Sequence, residues 1–529
     1  MKFTSHADIR NLLTVSEPLG PIAHERIVDD LADDLVYHKI TLFSDLVDKP
    51  HLLFLGRKGA GKSAVLREIR LGTRKKSQAR EPHGSRVSRA SAPKYVIDIF
   101  SWRSFHQIVR NVSSQSRKDP GFEEMIPKEY FGVLWHQTLW DEIFQYFYKH
   151  AHEAEHRESL KPVEKYVNVD GLFHGSAEQQ AIAVFEEAKR CVLSFLEQRN
   201  ATLYFLFDSM DDYPVRNPTF ARILGGLFQG LSRLSDESNR VVVSFCIPEE
   251  IEAFIALSSS NLMKDLSSSF RIRWNPIDLL RVVAHRLRVS ASVYDRDLYH
   301  RAKDLDFSRR QDIHELFKLI LPPRIMNLQG TEEDPLAYII RHTQLLPRHI
   351  LAIFNSALGI HYKNTKSFMG VTQEAIREGV SSVQKLIANQ ILLPFEHVYP
   401  KLLAHCRTIL PDLDPICPYT TLRKVDNRFH RLIEDDVTSV WNTLFEMGVI
   451  GRSTGPDGTN SHEVERSDRY CYGQFHFNID GAFGLASDGE YCFHPVFSRA
   501  FGMVRRSADK RVVYPARISL EGLYADPTS

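Results

Sequence analysis

The residues Gly56-Arg57-Lys58-Gly59-Ala60-Gly61-Lys62-Ser63 follow the spacing GxxxxGK[ST]. Each residue type there answers a need of a bound triphosphate. Glycines let the backbone wrap so that successive N–H groups point inward at phosphate oxygens. A helix opening behind the loop turns the positive end of its dipole toward the same oxygens. The Lys62 ammonium neutralises charge on the β- and γ-phosphates, and the Ser63 hydroxyl can join the shell of a Mg2+ ion. The stretch Gly56, Arg57, Lys58, Gly59, Ala60, Gly61, Lys62, Ser63 and Ala64 is therefore read as a nucleotide-binding loop, with Lys62 also serving the chemistry.

The ion needs a second hard-oxygen ligand, and an apolar strand that ends in a carboxylate provides one. Residues 203–207 (LYFLF) followed by Asp208 are the best match in the chain. One carboxylate suffices because Mg2+ keeps several waters, so Ser63 and Asp208 form the expected metal pair. Asp211 and Asp212 follow within a turn, where one of them could polarise an attacking water. Their plain alternative is a solvated acidic turn ahead of Pro214.

These residues need elements to hold them. Apolar runs at 52–55, 95–100, 202–207, 241–247 and, more weakly, 270–274 alternate with helical patterns such as 131–148, 178–197 and 220–234. Continuous apolar strands separated by helices imply a parallel sheet covered on both faces, an α/β fold of the P-loop NTPase kind. One or two amphipathic helices are expected over 18–50. Beyond about residue 291 four helical stretches follow, and after Pro394 the pattern changes to helices, a Gly-rich break at 448–458 and aromatic strand-like runs. The expected domains are an α/β domain over 1–290 with a basic insert at 72–94, a helical lid over 291–392, and a winged-helix-like α+β domain over 393–529.

The 529 residues suffice for about three domains. Lys+Arg 67 against Asp+Glu 66 leaves a net charge of +1, so any polyanion contact must rest on local patches. No apolar run long enough to span a bilayer and no secretory leader stand out, and the six scattered cysteines form no CxxC pair. A cytoplasmic protein without a membrane partner is expected. The insert 72–94 carries seven Lys/Arg against one Glu, which reads as a solvated loop or a polyanion contact.

Taken together, the loop GRKGAGKS, the element FLFDSMDD and the layout around them resemble the AAA+/STAND group of P-loop ATPases, above all bacterial members with a helical lid and a winged-helix tail, distant relatives of the origin-recognition ATPases. The resemblance covers residues 18 to about 392. It implies ATP and Mg2+ as ligands, Asp208 as the magnesium carboxylate, and Asp211 with Asp212 as the acidic pair supporting hydrolysis. Ser209 stands where the pattern has Gly, and no acidic residue directly follows Asp208. It further implies that Ser244 lies at the sensor-1 position, against the alternative of a plain core strand. Pro347 would open a lid helix whose Arg348 reaches the γ-phosphate, and an arginine finger would come from among Arg216, Arg222, Arg233, Arg240 and Arg271. The expected partners are further copies of the chain in a homo-oligomer, an effector protein encoded nearby, and DNA, with anti-phage defence as one setting.

In the tail, 437–447 shows a helical stripe with Gly448 as its C-cap. A wing is expected from the runs at 470–477 and 491–497. Residues 420–431 carry Arg423, Lys424, Arg428, His430 and Arg431, a density that suits DNA phosphates or an acidic protein surface. The His476-Phe477 and His494-Pro495 pairs fit no zinc spacing. The function expected is an ATP-hydrolysing switch or motor that couples nucleotide state to assembly and to the tail. The alternative is a scaffold that holds nucleotide without hydrolysing it.

Overall fold

The computed structural model describes residues 13–22, 52–67, 69–70, 94–99, 130–150, 159–168, 178–208, 218–251, 268–396, 402–432, 440–454, 470–478, 489–503 and 509–515. Asp211, Asp212, Arg216, nearly all of the basic insert and most of the span 18–50 lie outside these residues. The chain divides into two compact units: a sheet unit of residues 41–56 and 62–272, and a helical unit of 1–40, 57–61 and 273–529.

The sheet unit holds five parallel strands, β1 (Leu52–Gly56), β2 (Lys94–Ile99), β3 (Thr202–Phe207), β4 (Val241–Pro248) and β5 (Ser268–Arg271). Their order is β2-β3-β4-β1-β5. The expected α/β class is therefore present, with the apolar runs in the sheet. All eight residues of β4 are buried, because a strand flanked on both edges and covered by helices has no polar face to offer.

Helices α1 (62–67), α2 (Tyr130–His150), α3 (Lys161–Asn168), α4 (Glu178–Gln198) and α5 (Pro218–Asp236) join the strands. The contact between α2 and α5 is unusually close. A Cβ at Gly226 would lie 2.7 Å from the Phe131 carbonyl carbon, and one at Gly230 would lie 2.9 Å from the Trp135 Cβ. Trp135 Nε1 donates to the Ile223 carbonyl at 2.8 Å, and the Glu237 carboxylate beyond α5 accepts from Trp140 Nε1 at 2.9 Å while binding His136 and Lys189. One carboxylate thus fastens α2 to α4, and its charge is held below the ordinary carboxylate range by His136 and Lys189 against the opposing effect of burial.

The helical unit contains α6 (Pro276–Tyr294), α7 (Arg296–Ala302), α8 (Arg310–Ile320), α9 (Pro335–Arg341), α10 (Pro347–Thr365) and α11 (Gln373–Glu396). Asn275 caps α6 by accepting from Asp278 N at 2.8 Å, with Pro276 in the first turn where its missing N–H costs nothing. Helix α6 runs unbroken through residue 290, and α11 runs through Pro394, so both expected domain limits fall inside helices. A short hairpin that the sequence did not announce, β6 (Ile325–Met326) with β7 (Glu332–Glu333), interrupts the helices. The segment 13–22 is turns and bends rather than helix. Leu19 N donates to Asn355 Oδ1 at 2.7 Å, and Asn355 Nδ2 returns a bond to the Gly20 carbonyl at 2.9 Å, fixing it on α10.

The same unit continues with α12 (Leu402–Ile409), β8 (Ile416–Pro418), α13 (Tyr419–Leu432), α14 (Val440–Glu446), β9 (Ile450–Thr454), β10 (Tyr470–Gln474), β11 (Glu490–Phe493), α15 (Pro495–Ala500) and β12 (Val512–Pro515). The second sheet has the order β12-β10-β9-β11-β8. The expected wing is not formed as read: β10 and β11 do not pair, because β9 lies between them and pairs antiparallel with each. Residues 450–454, read as part of a glycine break, are that central strand. The run ending at Phe497 turns helical at Pro495. Gly448 does terminate α14, with φ +70.

Candidate functional site

Leu53, Phe54 and Leu55 are fully buried, and β1 runs parallel to both neighbours, so it delivers the chain to the carboxyl edge of the sheet. There β1 has β4 on one side and β5 on the other. Leu55 pairs with Ile247 and Arg271, and the Leu55 carbonyl accepts from Ile272 N at 2.7 Å. Ligands of open parallel sheets sit at this edge. The backbone then turns with Gly59 at φ +93 and Gly61 at φ +92, values that L side chains rarely tolerate. Ala60 N closes a tight turn on the Arg57 carbonyl at 2.9 Å, and α1 opens at Lys62.

Within the sheet unit, Lys62 is 7% exposed and its Nζ donates to the Gly56 carbonyl at 2.9 Å. The ammonium is folded back on the root of the loop. The Cys246 thiol of β4 donates to the Lys62 carbonyl at 3.7 Å. Asp208 is 6% exposed at the end of β3. Phe207 pairs with Phe245, and Phe245 with Leu53, so Asp208 stands level with Phe54 across one intervening strand. That places it at the same carboxyl edge of the sheet as the end of β1.

Ser244 is placed elsewhere. It pairs with Leu52 at the start of β1 and with Leu206, and it is 2% exposed. Four residues at about 3.3 Å each separate it from the level of Gly56. It belongs to the interior of the strand, as the plain core alternative holds. At the level of the loop β4 instead ends in Pro248 and Glu249, and Glu249 is ion-paired with Arg271 at the end of β5. This pair bridges the root of the loop across β1. The sequence carried no spacing signal for it, since the two residues are 22 apart.

The expected finger arginines separate by edge. Leu203 N bonds the Arg240 carbonyl at 2.8 Å, so Arg240 sits at the opposite, amino edge of the sheet, and Arg233 in the last turn of α5 lies toward that edge too. Arg222, in the first part of α5, has its guanidinium 5.9 Å from the Phe131 ring, and Arg271 is held by Glu249.

Within the helical unit, the loop residues Arg57 to Gly61 meet three groups. Arg348, on the first turn of α10, runs against Gly59: a Cβ built there would lie 3.1 Å from the Arg348 Cβ and 3.3 Å from its Nε. Trp274 Nε1 donates to the Ala60 carbonyl at 2.8 Å. Arg57 is 5% exposed, with Nη1 donating to Gln344 Oε1 and Nη2 to the Glu446 carbonyl, both at 2.7 Å, and its guanidinium 5.7 Å from the Phe477 ring. The Gln344 amide in turn donates to the Met447 and Gly448 carbonyls at 3.0 and 3.1 Å. The Arg57 side chain is thus bound to the end of α14, where the helix dipole is negative. Only its backbone is left for a phosphate. Trp274, Gln344 and Glu446 are residues that the sequence reading missed.

The donor set suits a magnesium triphosphate. The loop with its two positive-φ glycines can supply N–H groups, and the sheet unit by itself holds a lysine cation at the start of α1 and a hard oxygen at the end of β3. Among the described residues no group of three or more His, Cys, Asp or Glu could hold a metal ion. No helix among them is long and apolar enough to cross a membrane. No protein-family model and no curated protein matches this chain.

Proposed function

We propose that the chain binds ATP with Mg2+ on the loop 56–63 and hydrolyses it, using the nucleotide state as a switch. The observation that carries the reading is the loop itself, curled at Gly59 and Gly61 between a buried strand and a helix start, with the buried Lys62 ammonium at its root. When a triphosphate enters, Lys62 exchanges the Gly56 carbonyl for phosphate oxygens, and the loop N–H groups, including that of Ser63, donate to the remaining oxygens. Ser63 and Asp208 would hold the Mg2+ ion, whose chemistry is to neutralise charge on the β- and γ-oxygens. Asp211 and Asp212 supply the base, and Arg348 reports the γ-phosphate to α10. Helices α6 to α11 act as the lid. The domain beyond them is the output, a winged-helix-like body contacting DNA or a partner effector through the exposed Arg423 and Lys424 of α13. Homo-oligomer formation, a cytoplasmic location and a defence role belong to the same proposal.

The test is phosphate release and binding of a fluorescent ATP analogue by the purified chain. Lys62→Ala should abolish both, whereas Asp208→Asn should lower turnover by about 100-fold or more while the protein stays folded. The double change Asp211→Ala, Asp212→Ala should stop turnover and spare binding. Parent protein that binds ATP without releasing phosphate would instead establish the non-hydrolysing scaffold, and no binding at all would end both readings. Stimulation by DNA that fades as salt rises would assign the output to DNA. Salt-insensitive, DNA-independent turnover would assign it to a protein.

A further inference from the structure

Wholly inside the helical unit lies a cavity of about 600 Å3, walled by residues of α9, α11, α15, β11 and β12. That volume is in the range of small-molecule sites. Its apolar walls include Val380, Phe493 and Val513. Its polar lining includes Gln329, Tyr338, Arg341, His342, Gln384 and Arg499. Tyr338 and His342, four residues apart on one face of α9 and its end, have ring centroids 4.7 Å apart. They are 3% and 7% exposed.

The hydrogen bonding of these two rings is incomplete. His342 Nδ1 donates to the Tyr338 carbonyl at 2.7 Å, which leaves Nε2 with a lone pair. Burial and the nearby Arg341 and Arg499 charges hold this imidazole well below its ordinary pKa, so the ring stays neutral and Nε2 stays an acceptor. Neither His342 Nε2 nor the Tyr338 hydroxyl has a hydrogen-bond partner among the described residues, and neither is sealed from solvent. The lining therefore holds an open acceptor on His342 and an open hydroxyl on Tyr338.

The charge around the cavity is also unbalanced. Arg341 is satisfied by Glu333, through Nε at 2.9 Å and Nη2 at 3.0 Å. Arg499 is exposed at the rim and forms no ion pair among the described residues. An unpaired guanidinium beside apolar walls asks for an anion, and the open acceptor and donor ask for a ligand that carries both kinds of group. Adenine offers both on one edge, an amino donor next to a ring-nitrogen acceptor, whereas the N7–O6 edge of guanine presents two acceptors.

We propose that this cavity is a second small-molecule site, taking an adenine nucleoside monophosphate whose base edge meets His342 Nε2 and Tyr338 Oη and whose phosphate meets Arg499. None of the lining residues belongs to the loop, so the full chain carrying Lys62→Ala separates the two sites. Equilibrium dialysis with AMP should give saturable binding below about 1 mM, the affinity of a modest ligand. Arg499→Ala, an exposed position, should weaken AMP by about tenfold or more, as loss of a charge-assisted contact does. Tyr338→Phe, which removes only the hydroxyl, should weaken it by about fivefold. GMP should bind about tenfold less well than AMP, and inorganic phosphate should compete poorly. Absence of saturable AMP binding, or equal binding by the Arg499→Ala and Tyr338→Phe proteins, overturns the site. GMP equal to AMP, or inorganic phosphate competing as well as AMP, overturns the reading of the base. None of these failures bears on ATP turnover by the parent protein.

Discussion

Arg57 shows how much a single side chain in a phosphate loop can do beyond the phosphate. By motif the position tolerates any residue, because the backbone N–H is what binds. Here its guanidinium is almost fully buried and makes two 2.7 Å bonds to Gln344 and the Glu446 carbonyl. Its removal strands a buried amide oxygen and a helix-end carbonyl, each costing about 1–3 kcal/mol when left unmet. Arg57→Ala should accordingly lower unfolding stability by about 2–4 kcal/mol, read from the denaturant midpoint. Arg57→Lys should recover only part of the loss, since an ammonium cannot span both acceptors in one plane. An unchanged midpoint in the alanine variant would show that the tie carries no energy.

At the scale of elements, helix contacts and strand pairing decide what the residues can reach. The α2–α5 contact depends on Gly226 and Gly230 lying four residues apart on one face of α5, so that backbones touch where side chains would intervene. Gly226→Ala places a methyl 2.7 Å from a carbonyl carbon of α2, which cannot rotate away. The gain of about 1 kcal/mol in helix propensity is outweighed by a forced backbone shift of the overpacking kind, about 1–3 kcal/mol or more. A net fall in thermal midpoint is expected from calorimetry, and a rise would mean that the helices separate freely. The glycines of LGGLFQG carry no mark of their partner, because only the fold brings α2 opposite them. Pairing carries the same lesson. The aromatic runs at 470–474 and 490–493 were legible as strands, but β9 takes the place between them through bonds to both. Ser244 was legible as a strand residue, and only the register showed that it lies deep below the loop.

At the scale of the whole molecule, buried titrating groups should make the two units respond differently to acid. His349 and His494 in the helical unit are pushed down to about 3, mainly by burial, and His342 is also held well below its ordinary value. His494 uses both nitrogens, Nε2 donating to the Thr343 carbonyl at 3.0 Å and Nδ1 accepting from Val496 N at the start of α15, so a second proton would break that cap. The folded pKa is depressed, so both states are neutral above about 6.5, and the unfolded chain alone takes up protons as pH falls from there toward 3. Each histidine then removes about 1.4 kcal/mol of stability per pH unit. In the sheet unit Asp141 acts in the opposite sense. Burial raises it to about 6 despite its bond from Tyr166. Its folded form is protonated first, which adds stability as pH drops from about 6 to 3.8. Hydrogen exchange at pH 5.5 should therefore loosen the described residues of the helical unit before those of the sheet unit. The His494→Asn variant, which retains a capping acceptor, should show a shallower pH slope by about 1.4 kcal/mol per unit. Equal slopes would exclude His494 as a source.

What the sequence determined alone is what depends on near neighbours along the chain. The loop, its glycines and its lysine lie within eight residues, and the strand-to-helix turn they make is set by local backbone geometry. The parallel sheet followed from apolar runs alternating with helical periodicity, because burial on two faces leaves a mark in composition. What tertiary structure decided is what depends on residues far apart. The tie of Arg57 to Glu446 joins positions 389 apart, and the Glu249–Arg271 bridge crosses a strand from elsewhere in the chain. The cavity around Tyr338 and His342 takes its walls from five separate elements. Hydrogen bonds and ion pairs act over a few ångströms regardless of separation in sequence, so such sites exist only once the fold has brought their parts together.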